Sequence, residues 1–345
     1  MRVGIIGGGP AGLYLAKYLS KYNHLVTIFE KESGIGGMYK YAQLPPNKLD
    51  SFKKIISSKN VKLVDNCEIN RENFAKIEND FDAFVLATGG KPVRHNFRSK
   101  NILYAIDVIK EPKNIGKNVL ILGMGNVSMD LIRLLFRERN FGVKSIDVVT
   151  RSSVDNSKFT NSELRDVVAL EDIKITVIEK YIKPSSIKSM IAYLYSKIRQ
   201  YFVHTKSGNE LKKVDLAKES VSDYDQRLLT NTILSDRIKD RRRQILANIP
   251  NNTSSRSLRL IFNTNVESIQ ESGNSFKAKF KNGLKKTYDT VISSMGFRSN
   301  PMRLNTTKPV FKVGWCDKPT GNINDALIQA KLLSLDIDDF LKRKD

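Results

Sequence analysis

The sequence predicts an α/β fold with parallel sheets, because apolar strands alternate with glycine turns and helices at two places. At the amino terminus the apolar run 3–6 leads into glycines and then into apolar residues at helical spacing. Another apolar run begins at Asn118 and leads into a second glycine turn and a second helix. A strand, a glycine turn and a helix in this order start a dinucleotide-binding unit. The sequence therefore predicts two Rossmann-like dinucleotide-binding domains.

The first unit contains each part that a bound dinucleotide requires. Gly7 makes the tight turn, Gly9 lets a pyrophosphate approach the backbone, and Gly12 lets the helix pack closely on the strand. The next apolar run, 25–29, ends at Glu30, whose carboxylate can bond a ribose hydroxyl. An ordinary glycine turn is the alternative, and the acid at the expected distance argues against it.

The chain between the two units predicts further contacts with the same ligand. A glycine-rich loop over 33–38 lets the backbone pass close to the flavin end of a dinucleotide. A buried strand at 84–87 runs into a glycine turn, and Gly89 in that turn also approaches the cofactor. The remaining stretches predict a helix at 49–56 and two short strands, at 61–64 and 67–69.

The second unit differs from the first at the end of its second strand. Its turn carries Gly123 and Gly125, with Ser128 at the third glycine position. The following strand ends at Arg151, where the first unit has Glu30. An acid at this position accepts from a 2′-hydroxyl, whereas an arginine pairs with a 2′-phosphate. The first site therefore suits FAD and the second suits NADPH, with a solvated loop arginine as the alternative interpretation of Arg151.

A flavin and a nicotinamide nucleotide in one chain indicate hydride transfer. A disulfide reductase would need a cysteine pair beside the flavin, and the two cysteines, Cys67 and Cys316, form no CxxC pair. A flavin monooxygenase or an amine-oxidising flavoenzyme would not need the second unit. A protein that keeps the fold without turnover stays open as an alternative, and so does a nucleic-acid-binding role, which the charge alone suggests.

The second half of the chain has weaker patterns. Residues 183–256 are polar with a helical pattern, and the charged run 236–243 is either a docking surface or a solvated helix face. The stretches 258–262, 276–280 and 290–293 alternate like strands of a meander, with Asn282-Gly283 as a hairpin signal. A last helix is predicted over about 324–335, with a glycine before it that can direct backbone N–H groups at a flavin.

Composition limits the class of protein. The 345 residues suffice for two domains, and 40% hydrophobic residues suit a globular protein. We expect no membrane span, because no stretch has the ~20 apolar residues that a span requires. We also expect no signal or transit peptide, since Met1 directly precedes the first strand. Sparse cysteine indicates a reducing compartment. The net charge of +22 suggests an anionic partner or a lysine-rich composition without function.

Four motifs together resemble adrenodoxin reductase, the mitochondrial-type ferredoxin–NADP⁺ reductase family of glutathione-reductase-like flavoproteins. They are GMGNVSMD at 123–130, FTNSELR at 159–165, SSMGFRS at 293–299, and GW with PTGNI between 314 and 323. The resemblance covers nearly the whole chain. It implies a discontinuous FAD-binding domain over 1–98 and 300–345, with an NADP-binding domain over 99–299 inserted.

The resemblance also implies site residues. Those for FAD, together with the turn glycines, are Gly7, Gly9, Ala11, Gly12, Glu30, Met38, Ile69, Gly89, Trp315, Gly321, Asn322 and Ile323. Those for NADP are Met124, Gly125, Asn126, Val127, Arg151, Ser152, Glu163 and Gly321. Docking of an acidic partner is assigned to Arg165, by resemblance, and to the charged-run residues Arg241, Arg242 and Arg243.

The implied activity is electron transfer from NADPH through FAD to an acidic [2Fe–2S] ferredoxin, in iron–sulfur cluster assembly or a similar pathway. No metal site and no catalytic side chain are expected. A mitochondrion or a reduced mitochondrial relic is the implied location, with the cytosol as the alternative. Two departures concern the site: the family's paired arginines appear as Arg151-Ser152, and its Asp-His appears as Pro46-Asn47.

Overall fold

The computed structural model describes residues 1–42, 47–111, 115–179, 223–299 and 301–343. Its first sheet is parallel and has the strand order β16-β4-β1-β2-β3. These strands are β1 (Arg2–Ile6), β2 (Leu25–Phe29), β3 (Val61–Val64), β4 (Ala83–Leu86) and β16 (Val310–Lys312). The first sheet thus combines strands from both ends of the chain.

The second sheet is also parallel and has the order β6-β14-β7-β8-β10-β9. Its strands are β6 (Leu103–Tyr104), β7 (Asn118–Leu122), β8 (Ser145–Val149), β9 (Lys174–Glu179), β10 (Ser257–Phe262) and β14 (Thr290–Ser293). Both β1 and β7 lie inside their sheets and precede a glycine turn. We call the parts built on these sheets the first unit and the second unit.

Helices cover both sheets, as apolar runs at helical spacing require. In the first unit they are α1 (Pro10–Lys21), α2 (Asn47–Ile56), α3 (Arg71–Ile77) and the last helix, α8 (Ile323–Lys342). In the second unit they are α4 (Ala105–Lys110), α5 (Asn126–Arg137), α6 (Asn161–Val168) and α7 (Asp223–Ala247). Short 3₁₀ turns occur at Gly37–Tyr41, Glu78–Asp80, Arg139–Phe141 and Gly314–Cys316.

Two small antiparallel elements complete the described fold. One is the meander β11 (Val266–Ser272), β12 (Ser275–Phe280) and β13 (Lys285–Tyr288). The other is a ribbon of β5 (Gly90–Pro92) and β15 (Phe297–Ser299), which pair where the chain leaves the first unit and where it returns. We call this pair the crossing ribbon.

A buried polar cluster joins the meander to the second sheet. Asp147 on β8 is only 1% exposed. Its carboxylate accepts hydrogen bonds from Arg259 Nε at 2.7 Å, from Tyr288 Oη at 2.5 Å and from Lys286 Nζ at 3.0 Å. Burial alone would raise the pKa of Asp147, but the bonds from Arg259 and Tyr288 lower it. The carboxylate is therefore held ionised inside the fold.

The predicted α/β class with parallel sheets is confirmed, and so are both strand–turn–helix units. Three details are wrong. No strand forms over 67–69, where the chain is irregular between β3 and α3. Strands β10 and β14 belong to the parallel sheet, since both faces of each are covered, and the meander consists of β11, β12 and β13.

The last helix is longer than predicted and reaches Lys342, because Ile337 and Leu341 continue its buried stripe against the first unit. Residues 180–222, part of the polar stretch with the helical pattern, lie outside the described residues. None of the described helices is long and apolar enough to cross a membrane. Within the described ranges no group of His, Cys, Asp and Glu has the arrangement of a metal site. The domain boundaries stay a prediction.

Candidate functional site

The first candidate site lies at the carboxyl end of β1. Strand β1 pairs with β2 on one side and with β4 on the other. Gly7 follows β1 directly, and its N–H donates to the Phe29 carbonyl at the end of β2 at 2.8 Å. In open parallel sheets, ligands bind at the point where the strand order reverses on either side of a central strand. The first glycine turn is at this point.

The three glycines of the first turn have different surroundings. A Cβ on Gly7 would lie 2.3 Å from the Ala87 carbonyl oxygen, and one on Gly12 would lie 2.2 Å from the Gly7 oxygen. Gly7 also has a φ of +116°, which L side chains rarely adopt. A Cβ on Gly9, in contrast, would meet nothing within 4 Å. Gly7 and Gly12 are thus required by the fold, while the open space above Gly9 fits a pyrophosphate.

Glu30 is buried at the end of β2, as expected for the acid of this unit. It is 7% exposed, and its Oε2 accepts from the Gly8 N–H at 2.7 Å. Its Oε1 accepts from the Glu32 N–H at 2.9 Å. Each carboxylate oxygen can accept a second hydrogen bond. The carboxylate is therefore fixed beside the glycine turn with capacity left for a ribose hydroxyl.

Two further segments of the chain contact the region of this turn. The N–H of Gly36 donates to the Gly8 carbonyl at 2.8 Å, and a Cβ on Gly37 would lie 3.1 Å from the Gly9 Cα. Met38 follows Gly37 and is half-buried. On the other side, the Cys67 N–H donates to the Glu30 carbonyl at 2.8 Å and starts the stretch that carries buried Ile69. The predicted FAD residues Met38 and Ile69 therefore belong to segments that contact the first turn.

The segment around Trp315 approaches the start of α1. Gly314 has a φ of +70°, and a Cβ there would lie 2.5 Å from the Ala11 Cβ. The Trp315 ring stacks in a tilted geometry on Phe297 of the crossing ribbon, with ring centroids 4.7 Å apart. Gly89 has a φ of +72° and open space around it. Predicted FAD residues from both ends of the chain thus come together beside α1.

The start of α8 is capped by its own side chains. The Asn322 side chain accepts from the N–H groups of Asn324 at 2.8 Å and Asp325 at 3.4 Å. Asp325 in turn accepts from the Asn322 N–H at 2.6 Å. Gly321 and Ile323 flank this capping box, and a Cβ on Gly321 would lie 2.6 Å from the Asp325 carboxylate. The cap uses the Asn322 side-chain oxygen, and the Asn322 carbonyl accepts from the Ala326 N–H at 3.1 Å, so a contact of Asn322 with FAD would come from its side-chain amide nitrogen.

The second candidate site repeats the geometry at the carboxyl end of β7. A Cβ on Gly123 would lie 2.3 Å from the Ser294 carbonyl, whereas one on Gly125 would meet nothing within 4 Å. Ser128, in place of the third glycine, is fully buried, and its Oγ lies 2.8 Å from the Ser294 Oγ. The Met124 side chain is buried in the apolar core, so its backbone alone is available to a ligand.

Arg151 and Ser152, which follow shortly after β8, have different surroundings. Arg151 is exposed, and no hydrogen bond or ion pair ties its guanidinium to the described part of the chain. Ser152 is half-buried; its N–H donates to Thr150 Oγ1 at 3.2 Å, and its carbonyl accepts from the Asn263 N–H at 3.1 Å. A cation beside the second glycine turn that pairs with none of the described residues is available to a 2′-phosphate.

Glu163 on α6 is held by a buried arginine. Arg133 is 1% exposed, and its Nη2 donates to the Glu163 Oε2 at 2.6 Å and to the Asp130 carboxylate. Its Nη1 donates to Asp166 Oδ2 at 2.7 Å. Asn126 Oδ1 accepts from the Thr160 N–H at 2.8 Å and ties α6 to the second turn. Glu163, Asn126 and the neighbouring Val127 are thereby fixed relative to the second turn.

Tyr39 lies in the short 3₁₀ turn that follows the glycine loop over the first turn. Its hydroxyl oxygen is buried and has no hydrogen-bond partner among the described residues. Burial raises the pKa of the Tyr39 phenol. Tyr14 and the carboxylates of Glu163 and Asp130 in the second unit add to this rise in pKa. The Tyr39 hydroxyl therefore keeps its proton at neutral pH.

The predicted docking residues divide into two groups. Arg165 and Arg241 are exposed on neighbouring helices, α6 and α7. Arg243 is bound to Asp155 by two bonds of 2.8 and 2.9 Å. Arg242 is 4% exposed, so its assignment to a docking surface is wrong. Its guanidinium faces the protein because α7 packs this side against the loop before α6.

Comparison with known proteins bears on both sites. Residues 5–57 match the model of the NAD(P)-binding Rossmann-like domain. The chain contains an NAD(P)-binding Rossmann-like domain. The structure of FprA from Mycobacterium tuberculosis in complex with NADPH superposes with a TM-score of 0.68 at 16% identity, covering 98% of this chain and 85% of that one. At 16% identity this structural similarity is evidence for the fold alone.

Curated relatives match parts of the chain. The Glutamate synthase [NADPH] small chain of Bacillus subtilis is 29% identical over 163 residues, which cover 40% of this chain and 33% of that protein. The NADPH-Fe(3+) oxidoreductase subunit beta of Geobacter sulfurreducens is 31% identical over 156 residues, which cover 40% of this chain and 23% of that one. The chain thus spans a third or less of these relatives. Together the comparisons support the prediction of FAD and NADP(H) as cofactors.

Three features were missed by the sequence analysis: the roles of Arg133 and Tyr39, and the burial of Arg242. Arg133 could have been found, since it follows Asp130 by three positions on a helix and opposite charges at this spacing pair. Tyr39 carried a weak signal as an aromatic residue directly after the glycine loop. The burial of Arg242 had no signal, because a run of charged residues usually indicates a solvated face.

Proposed function

We propose that this protein transfers electrons from NADPH through FAD to an acidic [2Fe–2S] ferredoxin. The observation that carries the proposal is the arrangement of two open glycine turns, each at the end of a central parallel strand. The loop over the first turn carries Tyr39, and the Glu163 carboxylate of the second unit contributes to the raised pKa of its phenol. A flavin supplies the exchange between the two-electron chemistry of a nicotinamide and the one-electron chemistry of an iron–sulfur centre.

The protein's own residues bind, orient and exclude water. The open backbone at Gly9 and the buried Glu30 carboxylate hold the FAD pyrophosphate and ribose. Gly125 and Arg151 hold the phosphates of NADPH, and Glu163, fixed by Arg133, receives the nicotinamide end. The Tyr39 hydroxyl, which stays protonated, donates a hydrogen bond in the space between the two ligands.

The fold and the names of the matched proteins support this proposal in its coarser form, that of an NADPH-dependent flavin oxidoreductase. The ferredoxin is the finer part of the proposal and rests on the resemblance and on the charge of +22. Location in a mitochondrion or its relic stays a prediction from the resemblance.

The test begins with the purified protein, which should be yellow. NADPH added without oxygen should bleach the flavin absorbance, and an acidic [2Fe–2S] ferredoxin should then pass electrons on to cytochrome c. A yellow protein that is reduced by NADPH but does not reduce the ferredoxin would support an NADPH-dependent flavin oxidoreductase and would exclude this ferredoxin as its partner. A colourless protein that binds no added FAD would support the alternative of a fold retained without turnover.

The docking surface is tested separately through exposed Arg165 and Arg241. Exposed charges act mainly on association rate and are screened over a Debye length of ~8–10 Å. Ferredoxin-dependent turnover should therefore fall steeply with salt, while reduction of a neutral quinone should barely change. Arg165→Glu should lower ferredoxin-dependent turnover. Lys17→Glu, at an exposed position of α1, should leave this turnover unchanged. Equal loss in both variants would mean that the positive charge acts diffusely.

A further inference from the structure

Arg242 on α7 is a buried cation with an unusual set of partners. Its guanidinium donates to four backbone carbonyls of a single loop at 2.8 to 3.3 Å. These carbonyls belong to Val154, Asp155, Ser157 and Phe159. Its Nε donates to the Asn161 side chain at 3.2 Å, and its Cζ lies 4.6 Å from the centroid of the Phe159 ring. We call residues 154–159 the clamped loop.

Burying a guanidinium in this manner is costly unless its donors are hydrogen-bonded. None of the hydrogen bonds recorded for Arg242 in the described chain goes to a carboxylate. A buried charge without a direct ion pair must be satisfied by several good hydrogen bonds. The planar fork of an arginine offers five donors to the surrounding carbonyls, whereas the ammonium of a lysine offers three. The contacts therefore match an arginine specifically.

The clamped loop connects two residues of the second site. It begins shortly after Arg151 and ends at the start of α6, which carries Glu163. Its end is also tied to the second glycine turn, because the Thr160 N–H donates to Asn126 Oδ1 at 2.8 Å. The conformation of this loop thus sets the distance between the cation assigned to the 2′-phosphate and the acid at the nicotinamide end.

We propose that Arg242 is a positioning residue for the nicotinamide nucleotide, which fixes the clamped loop so that Arg151 and Glu163 stand at the separation the nucleotide requires. This inference rests on the proposed function. Arg242 itself contacts no ligand and acts through the loop backbone. Displacing a binding group by about 1 Å can cost up to ~100-fold in catalytic efficiency, so the effect should be easy to measure.

The experiment compares Arg242→Met with Arg137→Met. Both changes remove one positive charge from a helix of the second unit, but Arg137, the last residue of α5, is exposed and lies outside the proposed docking surface. In Arg242→Met the KM for NADPH should rise roughly ten-fold or more, with kcat at saturating NADPH within about two-fold of wild type. FAD content should stay unchanged. Arg137→Met should match the wild type in all three measurements.

A conservative variant separates positioning from loss of stability. A lysine ammonium has three donors, so Arg242→Lys should recover part of the NADPH affinity. All assays should run well below the melting temperature of each variant. If Arg242→Met does not fold, the comparison of Arg242→Lys with Arg137→Lys carries the same test with the same expected direction.

Two results would overturn the inference. One is a lower melting temperature for Arg242→Met with a KM for NADPH equal to that of Arg137→Met, which would leave a structural role alone. The other is a wild-type protein that binds no NADPH, which would overturn the proposed function and this inference with it. Direct titration of the wild type with NADPH distinguishes the two failures.

Discussion

The Nζ of Lys110 lies 2.7 Å from the Oε1 of Glu32, although the two residues are far apart in the chain. Lys110 ends α4 in the second unit, and Glu32 follows β2 in the first. Lys40 lies 2.7 Å from the other oxygen of Glu32, and the Tyr41 hydroxyl donates to that oxygen at 3.1 Å. This ion pair joins the two units next to the loop that approaches the first site.

The Glu32 pair should make stability depend on pH in a defined window. Burial alone would raise the pKa of Glu32, but hydrogen bonds from Lys110 and Lys40 outweigh it and lower the pKa to about 2. A carboxyl whose pKa is lowered by folding stabilises the protein above its unfolded pKa, and this contribution disappears as the pH falls toward the folded pKa. After allowance for partial exposure, Glu32→Gln should cost about 1–2 kcal/mol of unfolding free energy at neutral pH.

Melting curves of wild type and Glu32→Gln between neutral pH and pH ~3 check this prediction. The difference between the two should shrink once the pH drops below the ordinary carboxyl value of about 4.5. Lys110→Met should show only part of this difference, since Lys40 still pairs with Glu32, and exposed Lys31→Met should behave like wild type. A difference that stays constant over the whole range would contradict an ionised Glu32 as its source.

Gly9→Val should fold normally and lose the flavin. A Cβ on Gly9 meets no protein atom within 4 Å, so the larger side chain fills only the space assigned to the pyrophosphate. Gly12→Val is the contrasting variant, because its Cβ would lie 2.2 Å from the Gly7 oxygen and should prevent folding. Circular dichroism and the visible flavin absorbance measure the two effects. Full flavin occupancy in Gly9→Val would refute the assignment of the first site.

Arg151→Ala should discriminate between the two nicotinamide nucleotides. Loss of a charge-assisted hydrogen bond to phosphate costs ~1.5–3 kcal/mol, which corresponds to about a ten- to hundred-fold weaker binding of NADPH. NADH has no 2′-phosphate, so its dissociation constant should stay the same. Lys158→Ala, an exposed cation of the clamped loop, serves as the control. Equal weakening for both nucleotides would show that Arg151 does not contact the 2′-phosphate.

Asp147→Asn should destabilise the second unit strongly. The change leaves Arg259 and Lys286 without their buried carboxylate and should cost about 3 kcal/mol or more. Asp166→Asn is the comparison, since the Asp166 side chain is 50% exposed and its loss should cost under ~1 kcal/mol. Urea unfolding monitored by far-UV circular dichroism measures both. Similar midpoints for the two variants would contradict a structural role for the Asp147 cluster.

Local patterns explain why the two units could be predicted from the sequence. A strand, a glycine turn and a helix form from neighbours in the chain, and the apolar spacing encodes each of them directly. The pairing of Glu32 with Lys110 could not be predicted, because lysines are numerous and only the packing of the two units selects one. Strand β10 was assigned to the meander for a related reason, since the sequence between β9 and β10 does not indicate a parallel pairing.

The orientation of α7 shows the same limit at one residue. Arg241, Arg242 and Arg243 look equivalent in a charged run, yet the first is exposed, the second is buried against the clamped loop and the third pairs with Asp155. Helical periodicity separates their directions but does not show which direction faces the protein. The carbonyls that decide it come from a loop about 85 residues earlier in the chain.

The crossing ribbon has a consequence for the order in which the protein forms during synthesis. Strand β16 and helix α8, which complete the first unit, leave the ribosome after every strand of the second unit. Domains generally fold as units while the chain emerges. The second unit can therefore fold first. The first sheet, made of β1 to β4, stays incomplete until the last forty or so residues have been synthesised, because they contain its edge strand β16. A nascent chain arrested before β16 should carry a protease-resistant second unit and a protease-sensitive amino terminus.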